Sequence, residues 1–208
     1  MSDILKFDIC VIGAGSGGLS VAAGAVQMGA SVALIEKGKM GGDCLNYGCV
    51  PSKALLAASH QANIYTKSEK YGVRYGVPEI EFSKIRDYVR GVVATIEPHD
   101  SIERFEGLGV KVFQGAAHFE GKRRVKVNDT VIEAKYIVIS TGSSAFIPPI
   151  EGLGEVPYFT NETIFENAEK PSHLIVIGAG PIGAEMAQAY AQLGVKVSIV
   201  DMFSLMSK

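Results

Sequence analysis

The strongest constraint on the fold is a glycine pattern that occurs twice, each time between an apolar strand and a helix. The first copy follows the apolar residues 7–12 and begins at Gly13; the second follows residues 174–177 and begins at Gly178. In each copy the next apolar strand leads to an acidic residue, Glu36 or Asp201, and the two glycine-to-acid intervals are equal. One G-x-G-x-x-G is weak evidence, but two in this context indicate two βαβ units that bind dinucleotides.

Each glycine of the pattern has a physical task. The first forms a tight turn, the second lets the backbone approach a pyrophosphate, and the third lets the helix pack on the strand. The anion then rests on the helix N-terminus. The alternative for either copy alone is a glycine-rich turn without a ligand. We expect the cofactor-binding glycines to be Gly13, Gly15 and Gly18 in the first unit, and Gly178, Gly180 and Gly183 in the second.

The acidic residues indicate which nucleotide each unit prefers. Glu36 and Asp201 stand where a carboxylate accepts hydrogen bonds from a ribose, and a carboxylate there repels a 2′-phosphate. No arginine follows Asp201 up to Lys208. The second unit is therefore predicted to favour NAD(H) over NADP(H).

Two cysteines, Cys44 and Cys49, follow the first unit and indicate redox chemistry. On a regular helix residues at this spacing are about 7.5 Å apart along the axis, beyond the ~7 Å Cα limit for a disulfide. The pair can close only on an irregular backbone, which Gly48 permits, and Pro51 favours a helix that begins around residues 49–51. The helix N-terminus, with Lys53 one turn on, would then favour the thiolate of Cys49.

Two other interpretations of the cysteines are possible. The first is that they are unrelated thiols in a glycine-rich loop. The second is that they form half of a metal site. A zinc site needs further ligands at short spacing, yet the remaining cysteine, Cys10, is distant, and the histidines are scattered at positions 60, 99, 118 and 173. We therefore expect no metal site.

Composition excludes several classes of function. The net charge of the 208 residues is −2, and the chain has no basic-aromatic array, so a nucleic-acid partner is not expected. No apolar run approaches the roughly 18 residues of a membrane span, and the first residues lack the features of a signal peptide. We expect a cytoplasmic protein, where a disulfide is more often catalytic than structural.

The region between the glycine patterns predicts further elements. Helices are expected over residues 51–65 and 82–105, and a meander of short strands over 110–114, 117–120, 124–127 and 130–134, followed by a strand over 136–140. The expected fold is α/β: a Rossmann-like FAD-binding domain over residues 1–150 with a parallel sheet and a β-meander, then the start of a Rossmann-like NAD-binding domain over 151–208.

The phrase Gly-Gly-x-Cys-x4-Cys-x-Pro-Ser-Lys over residues 41–53, with both glycine patterns and the strand end at Ser140-Thr141-Gly142, resembles the class I pyridine nucleotide-disulfide oxidoreductases. This family includes dihydrolipoamide dehydrogenase, glutathione reductase and mercuric reductase. The resemblance implies that the first glycine pattern binds FAD and the second NAD(H). It further assigns FAD contacts to Gly42, Ala117, Thr141 and Gly142.

The resemblance also assigns the catalytic residues. Cys44 is implied to be the interchange thiol that meets the substrate, and Cys49 the thiol beside the flavin. Lys53 is implied to lie near the flavin with Glu185 as its counter-ion. A dithiol would attack the Cys44–Cys49 disulfide at Cys44, and the Cys49 thiolate would pass two electrons to FAD and so to NAD+; the reductase direction reverses this.

The resemblance leaves the substrate open. The expected partner is a small dithiol or disulfide, or a lipoyl-carrying protein, and the intact protein is expected to be a homodimer. The alternatives are a mercuric reductase-like enzyme and a silent FAD-binding module. Family members are more than twice as long, so we expect an N-terminal portion without the segment that supplies the acid-base pair. Pro181 stands where many family members carry an aromatic residue that gates the nicotinamide site.

Overall fold

The computed structural model describes residues 4–203 and divides them into two compact units. The first unit comprises the described residues up to Asn46 together with Val93–Pro148. The second comprises Tyr47–Val92 together with the described residues from Pro149 onwards. The domain boundary near residue 150 stays a prediction.

The first unit is built on a six-stranded sheet of order β3-β2-β1-β6-β5-β4. Four of its strands, β3, β2, β1 and β6, are parallel to one another. Strands β5 and β4 pair antiparallel beyond β6 and extend the sheet as a meander. The strands are β1 (Ile4–Ile12), β2 (Val32–Glu36), β3 (Lys111–Gln114), β4 (Ala117–Gly121), β5 (Arg124–Val127) and β6 (Thr130–Ile139). The predicted combination of a parallel Rossmann-like sheet and a meander is confirmed.

Apolar residues cover both faces of this sheet, as a largely parallel sheet requires. On one face helix α1 (Ser16–Gln27) packs its alanines and Leu19 against Val11 and Leu34. A second core cluster contains Val125 and Val127 of β5 together with Cys10 and Ile12 of β1. The register of β1 with β2 and β6 brings the strand ends Ile12, Ile35 and Ile139 to one edge of the sheet.

Several details differ from the sequence prediction. The strand expected over 110–114 is not part of the meander: it forms β3, which pairs in parallel with β2 at the side of the sheet opposite β4. A single strand, β6, replaces the two strands expected over 130–134 and 136–140, because it pairs with β1 along its length. The long helix expected over 82–105 ends at Ile96. Pro98 cannot continue a helix ladder, and Ser101 accepts a hydrogen bond from the N–H of Arg104 and begins α6 (Ile102–Gly107). The short helix α2 (Gly42–Asn46) was also not predicted from the sequence.

The second unit contains a βαβ element and helices. Parallel strands β7 (His173–Ile177) and β8 (Lys196–Val200) flank α7 (Pro181–Gln192). The other helices are α3 (Cys49–Ala62), α4 (Tyr65–Ser68) and α5 (Phe82–Ile96), which runs past the division after Val92. Buried residues of α3, α5 and α7 share one core. The start of a second Rossmann-like unit is confirmed.

Candidate functional site

The first glycine pattern forms a tight turn at the end of β1. Gly13 has φ of +103°, which a residue with a side chain rarely adopts. A Cβ on Gly18 would overlap the carbonyl oxygen of Gly13, so helix and turn can meet only because residue 18 has no side chain. Gly15 ends the turn as the residue that precedes α1, and has no side chain to cap the helix. The backbone amides at the start of this helix are therefore left for an anionic ligand.

Gly15 and Gly42 lie against each other and complete this cradle. A Cβ on Gly42 would lie 2.6 Å from the Cα of Gly15, and the φ of Gly42 is +57°. The N–H of Gly41 donates to the carbonyl oxygen of Ala14 at 2.9 Å. The polypeptide that leads into the first cysteine is thus fixed to the glycine turn, and together they form a backbone-lined cradle that a side chain would fill.

Glu36 is held in place by two backbone amides. Its Oε2 accepts from the N–H of Ala14 at 2.6 Å and its Oε1 from the N–H of Gly38 at 2.7 Å. Each carboxylate oxygen retains a second lone-pair position, so the group can still accept from a ribose hydroxyl. The structure therefore presents Glu36 as an oriented acceptor at the rim of the first cradle.

The other residues expected around FAD lie in the same unit. Gly142 has φ of +68°, and with Thr141 it lies in the exposed segment that follows β6. Ala117 opens β4 and pairs with Val127. All of the sequence-predicted FAD residues therefore belong to the first unit. The donors and the open backbone of this cradle fit a dinucleotide pyrophosphate and an adenosine ribose.

The second glycine pattern repeats the design of the first. Gly178 has φ of +104°, and a Cβ on Gly183 would overlap the Gly178 carbonyl oxygen. The Oδ2 of Asp201 accepts from the N–H of Ala179 at 2.5 Å, as Glu36 does from Ala14. This hydrogen bond, with a second from the N–H of Phe203, holds the pKa of Asp201 below its usual value. Nothing lies within 4 Å of a Cβ on Gly180, so this turn is also open to a ligand's approach.

The segment between the cysteines breaks the helix, as the sequence predicted. α2 carries Cys44, which is half-buried, and ends at Asn46. Asn46 donates to the carbonyl oxygens of Met40 and Gly42 and so fixes the helix to the preceding loop. α3 then begins at Cys49, after Gly48 in a non-helical conformation.

Cys49 occupies the first position of α3 and is exposed. Pro51 lies in the first turn, where its missing N–H costs no helix hydrogen bond. Cys44 belongs to the first unit and Cys49 to the second, so the pairing of their sulfurs stays a prediction from the sequence. Cys10 is different: it is buried in the sheet, and burial raises its pKa to about 11.

Lys53 and Glu185 form the ion pair that the resemblance implied. The Nζ of Lys53 lies 2.6 Å from the Oε1 of Glu185. The lysine side chain is 61% exposed, so the pair adds little stability. Its significance is positional, because it joins α3 and α7 about one turn after each helix begins, α3 at Cys49 and α7 at the second glycine pattern.

The same two helices are also joined at their other ends. The hydroxyl of Ser59, which is fully buried, donates to the Oε1 of Gln192 at 2.8 Å. Lys53 and Glu185 lie near the N-termini of α3 and α7, and Ser59 and Gln192 lie near their C-termini. The two helices therefore run parallel. Neither Ser59 nor Gln192 was singled out from the sequence, because nothing local signals a contact over this separation.

One residue of the strand end that carried the resemblance was given no role of its own from the sequence. Ser140, the last residue before Thr141, donates to the carbonyl oxygens of both Ile12 and Gly13.

The described residues include no group of three or more His, Cys, Asp or Glu side chains placed to hold a metal ion. None of the helices within residues 4–203 has both the length and the apolar character needed to cross a membrane.

Comparisons with known proteins agree with this geometry. Residues 7–206 match the sequence profile of a family described as pyridine nucleotide-disulphide oxidoreductase. The chain is 36% identical over 203 residues to a dihydrolipoyl dehydrogenase of Halobacterium salinarum, covering 94% of this chain and 42% of that protein. It is 33% identical over 195 residues to a mercuric reductase of Staphylococcus aureus, covering 94% of this chain and 36% of that one.

A solved structure gives the same result. The HOCl-induced flavoprotein disulfide reductase RclA from Escherichia coli superposes with a TM-score of 0.81 at 27% sequence identity, over 96% of this chain and 43% of that one. The chain thus spans less than half the length of each of these three relatives.

Proposed function

Because this chain belongs to the pyridine nucleotide-disulphide oxidoreductase family, we propose that the protein transfers electrons between NAD(H) and a dithiol or disulfide substrate through FAD and the Cys44–Cys49 pair. The observation that carries the proposal is the presence of two glycine cradles of the same design, each with its acid oriented by the alanine amide after the first glycine. An electron relay between two dinucleotides needs one such cradle for each.

The two cradles divide the binding between them. In the proposal the amides at the start of α1 take the FAD pyrophosphate, and Glu36 accepts from its adenosine ribose. Asp201 takes the corresponding ribose of NAD(H), and its negative charge disfavours a 2′-phosphate. FAD, when bound, supplies a two-electron carrier that exchanges hydride with the nicotinamide.

The cysteines perform the thiol chemistry. In the dehydrogenase direction, one sulfur of a substrate dithiol attacks Cys44, which breaks the Cys44–Cys49 bond and releases Cys49 as a thiolate. The second substrate sulfur then displaces Cys44, so the substrate leaves as a disulfide and the protein holds two reduced cysteines. With FAD bound, re-formation of the Cys44–Cys49 bond would release from Cys49 the electron pair that the flavin accepts.

A dihydrolipoyl dehydrogenase-like activity is the first candidate, since such an enzyme is 36% identical to this chain. A mercuric reductase-like activity is the second, supported by 33% identity to an enzyme of that name. A silent FAD-binding module is the third. The proposal includes a homodimer, a cytoplasmic location and either a free small molecule or a lipoyl-carrying protein as substrate.

Steady-state assays separate these candidates. The purified protein is supplied with FAD and NADH, then with lipoamide or with Hg(II), and NADH oxidation is followed at 340 nm. Lipoamide-dependent oxidation supports the first candidate, and oxidation with Hg(II) alone supports the second. Bound FAD without turnover on either substrate supports the third, and a protein that binds no FAD contradicts the proposal. Cys44→Ser and Cys49→Ser provide the controls, because each removes one sulfur of the exchange.

A further inference from the structure

Ser140 occupies an unusual position between β6 and the glycine turn of the first cradle. Its hydroxyl lies 3.0 Å from the carbonyl oxygen of Ile12 and 3.0 Å from that of Gly13. Its N–H also donates to the Ile12 oxygen at 2.8 Å. One side chain thus reaches two successive carbonyl oxygens of the turn from a strand far away in sequence.

These contacts complete a frame around the turn. The peptide group between Ile12 and Gly13 is held at its oxygen by Ser140 and at its N–H by the carbonyl oxygen of Ile35, 2.8 Å away. The next peptide group is held at the Gly13 oxygen by Ser140 and at the Ala14 N–H by Glu36. Both peptide planes of Gly13 are therefore fixed at both ends.

Helix α1 closes the frame from the third side. A Cβ on Gly18 would overlap the Gly13 oxygen and would lie 2.7 Å from the Ser140 Oγ. The bare glycine leaves the space that the serine hydroxyl needs to reach that oxygen. The helix at the same time crowds the Gly13 carbonyl, so its hydrogen bond to Ser140 replaces hydration that the packing restricts.

We propose that Ser140 is a positioning residue of the first cradle: its hydroxyl fixes the direction of the Gly13 peptide groups, and with them the amides that receive a dinucleotide pyrophosphate. This inference rests on the proposed function only in taking that dinucleotide to be FAD. Ser140 itself makes no contact with the ligand in this scheme. It acts through the turn, opposite Glu36, which holds the same peptide group from the other end.

The test compares FAD affinity with apoprotein stability in matched serine variants. Ser140→Ala removes the hydroxyl, whereas Ser20→Ala removes a comparable hydrogen bond, from Ser20 to the Ser16 oxygen at 2.7 Å on the exposed face of α1. FAD binding is measured by flavin fluorescence quenching, and unfolding of the apoprotein by circular dichroism. We expect Ser140→Ala to weaken FAD binding about tenfold, the effect of one hydrogen bond, and Ser20→Ala to leave it unchanged.

Three outcomes would contradict the role of Ser140, and a fourth would contradict the proposed function. An equal affinity in Ser140→Ala and the parent protein overturns the inference, even though the protein binds FAD. A loss of affinity matched by an equal loss in Ser20→Ala also overturns it, since the effect would then be general. Ser140→Thr keeps a hydroxyl and is expected to retain affinity; equal weakening in Ser140→Thr and Ser140→Ala contradicts a role for the hydroxyl. A parent protein that binds no FAD contradicts the proposed function instead.

Discussion

A single methyl group at Gly18 is expected to disrupt the first unit. A Cβ there would overlap the carbonyl oxygen of Gly13 and crowd the Ser140 hydroxyl, and the first of these is backbone that the sheet holds in place. Forcing such an overlap typically costs about 1–3 kcal/mol. The gain in helix propensity from glycine to alanine, up to about 1 kcal/mol, offsets only part of that cost.

Gly24 provides a matched control on the same helix. Nothing lies within 4 Å of a Cβ at this position, and it lies in the interior of α1. Gly24→Ala is therefore expected to raise the free energy of unfolding by about 0.5–1 kcal/mol. Gly18→Ala is expected to lower it by up to about 2 kcal/mol, the overlap cost less the propensity gain.

Urea unfolding followed by circular dichroism measures both variants. The urea concentration at the midpoint is expected to be highest for Gly24→Ala, lower for the parent protein and lowest for Gly18→Ala. The slope of the free energy of unfolding against urea concentration is expected to be the same for all three. If Gly18→Ala unfolded at the same urea concentration as Gly24→Ala, the helix would not press on the Gly13 carbonyl as described. The reasoning about the glycine pattern would then be refuted.

Three further predictions concern single side chains. Iodoacetamide at neutral pH should label the reduced, native protein at Cys49 but not at Cys10, which is buried with a raised pKa; peptide mass spectrometry showing equal labelling would contradict this. Lys135 and Ser31 hold the pKa of Asp8 below its usual value, so the carboxylate contributes stability above about pH 4 that is lost as the pH falls towards the folded-state pKa. Asp8→Asn should therefore lower the thermal midpoint at pH 7 but have a smaller effect near pH 3, and an equal effect at both would refute the assignment. Ser59→Ala should cost about 0.5–1.5 kcal/mol in urea unfolding, because it removes the hydrogen bond that the buried Ser59 hydroxyl makes to the half-buried Gln192 amide, and a change under about 0.3 kcal/mol would contradict it.

Local patterns were sufficient to predict most elements of the fold. The glycine turns, their flanking strands and the acids that follow depend on residues close in sequence, and the structure has them where the patterns indicated. The helix start at Cys49 was predicted from Gly48 and Pro51 for the same reason. The break before α6 had a local signal in Pro98, but the helical spacing of apolar residues on both sides masked it.

Contacts between distant segments could not be predicted in this way. Ser140 reaches the turn at Gly13 only because β6 pairs with β1, and the sequence states neither the pairing nor its register. The hydrogen bond between Ser59 and Gln192 depends likewise on how two helices pack. The Lys53–Glu185 ion pair was anticipated through the family resemblance, because propensity and periodicity carry no information about it.

The most direct test of the proposed relay is an anaerobic titration of the FAD-loaded protein with a dithiol, followed by visible absorption. The proposal predicts that two electrons per flavin produce a long-wavelength charge-transfer band, from the Cys49 thiolate beside oxidised flavin, and that Cys49→Ser abolishes this band. Bound flavin that shows no such band after reduction of the cysteines would contradict the claim that Cys44 and Cys49 exchange electrons with FAD.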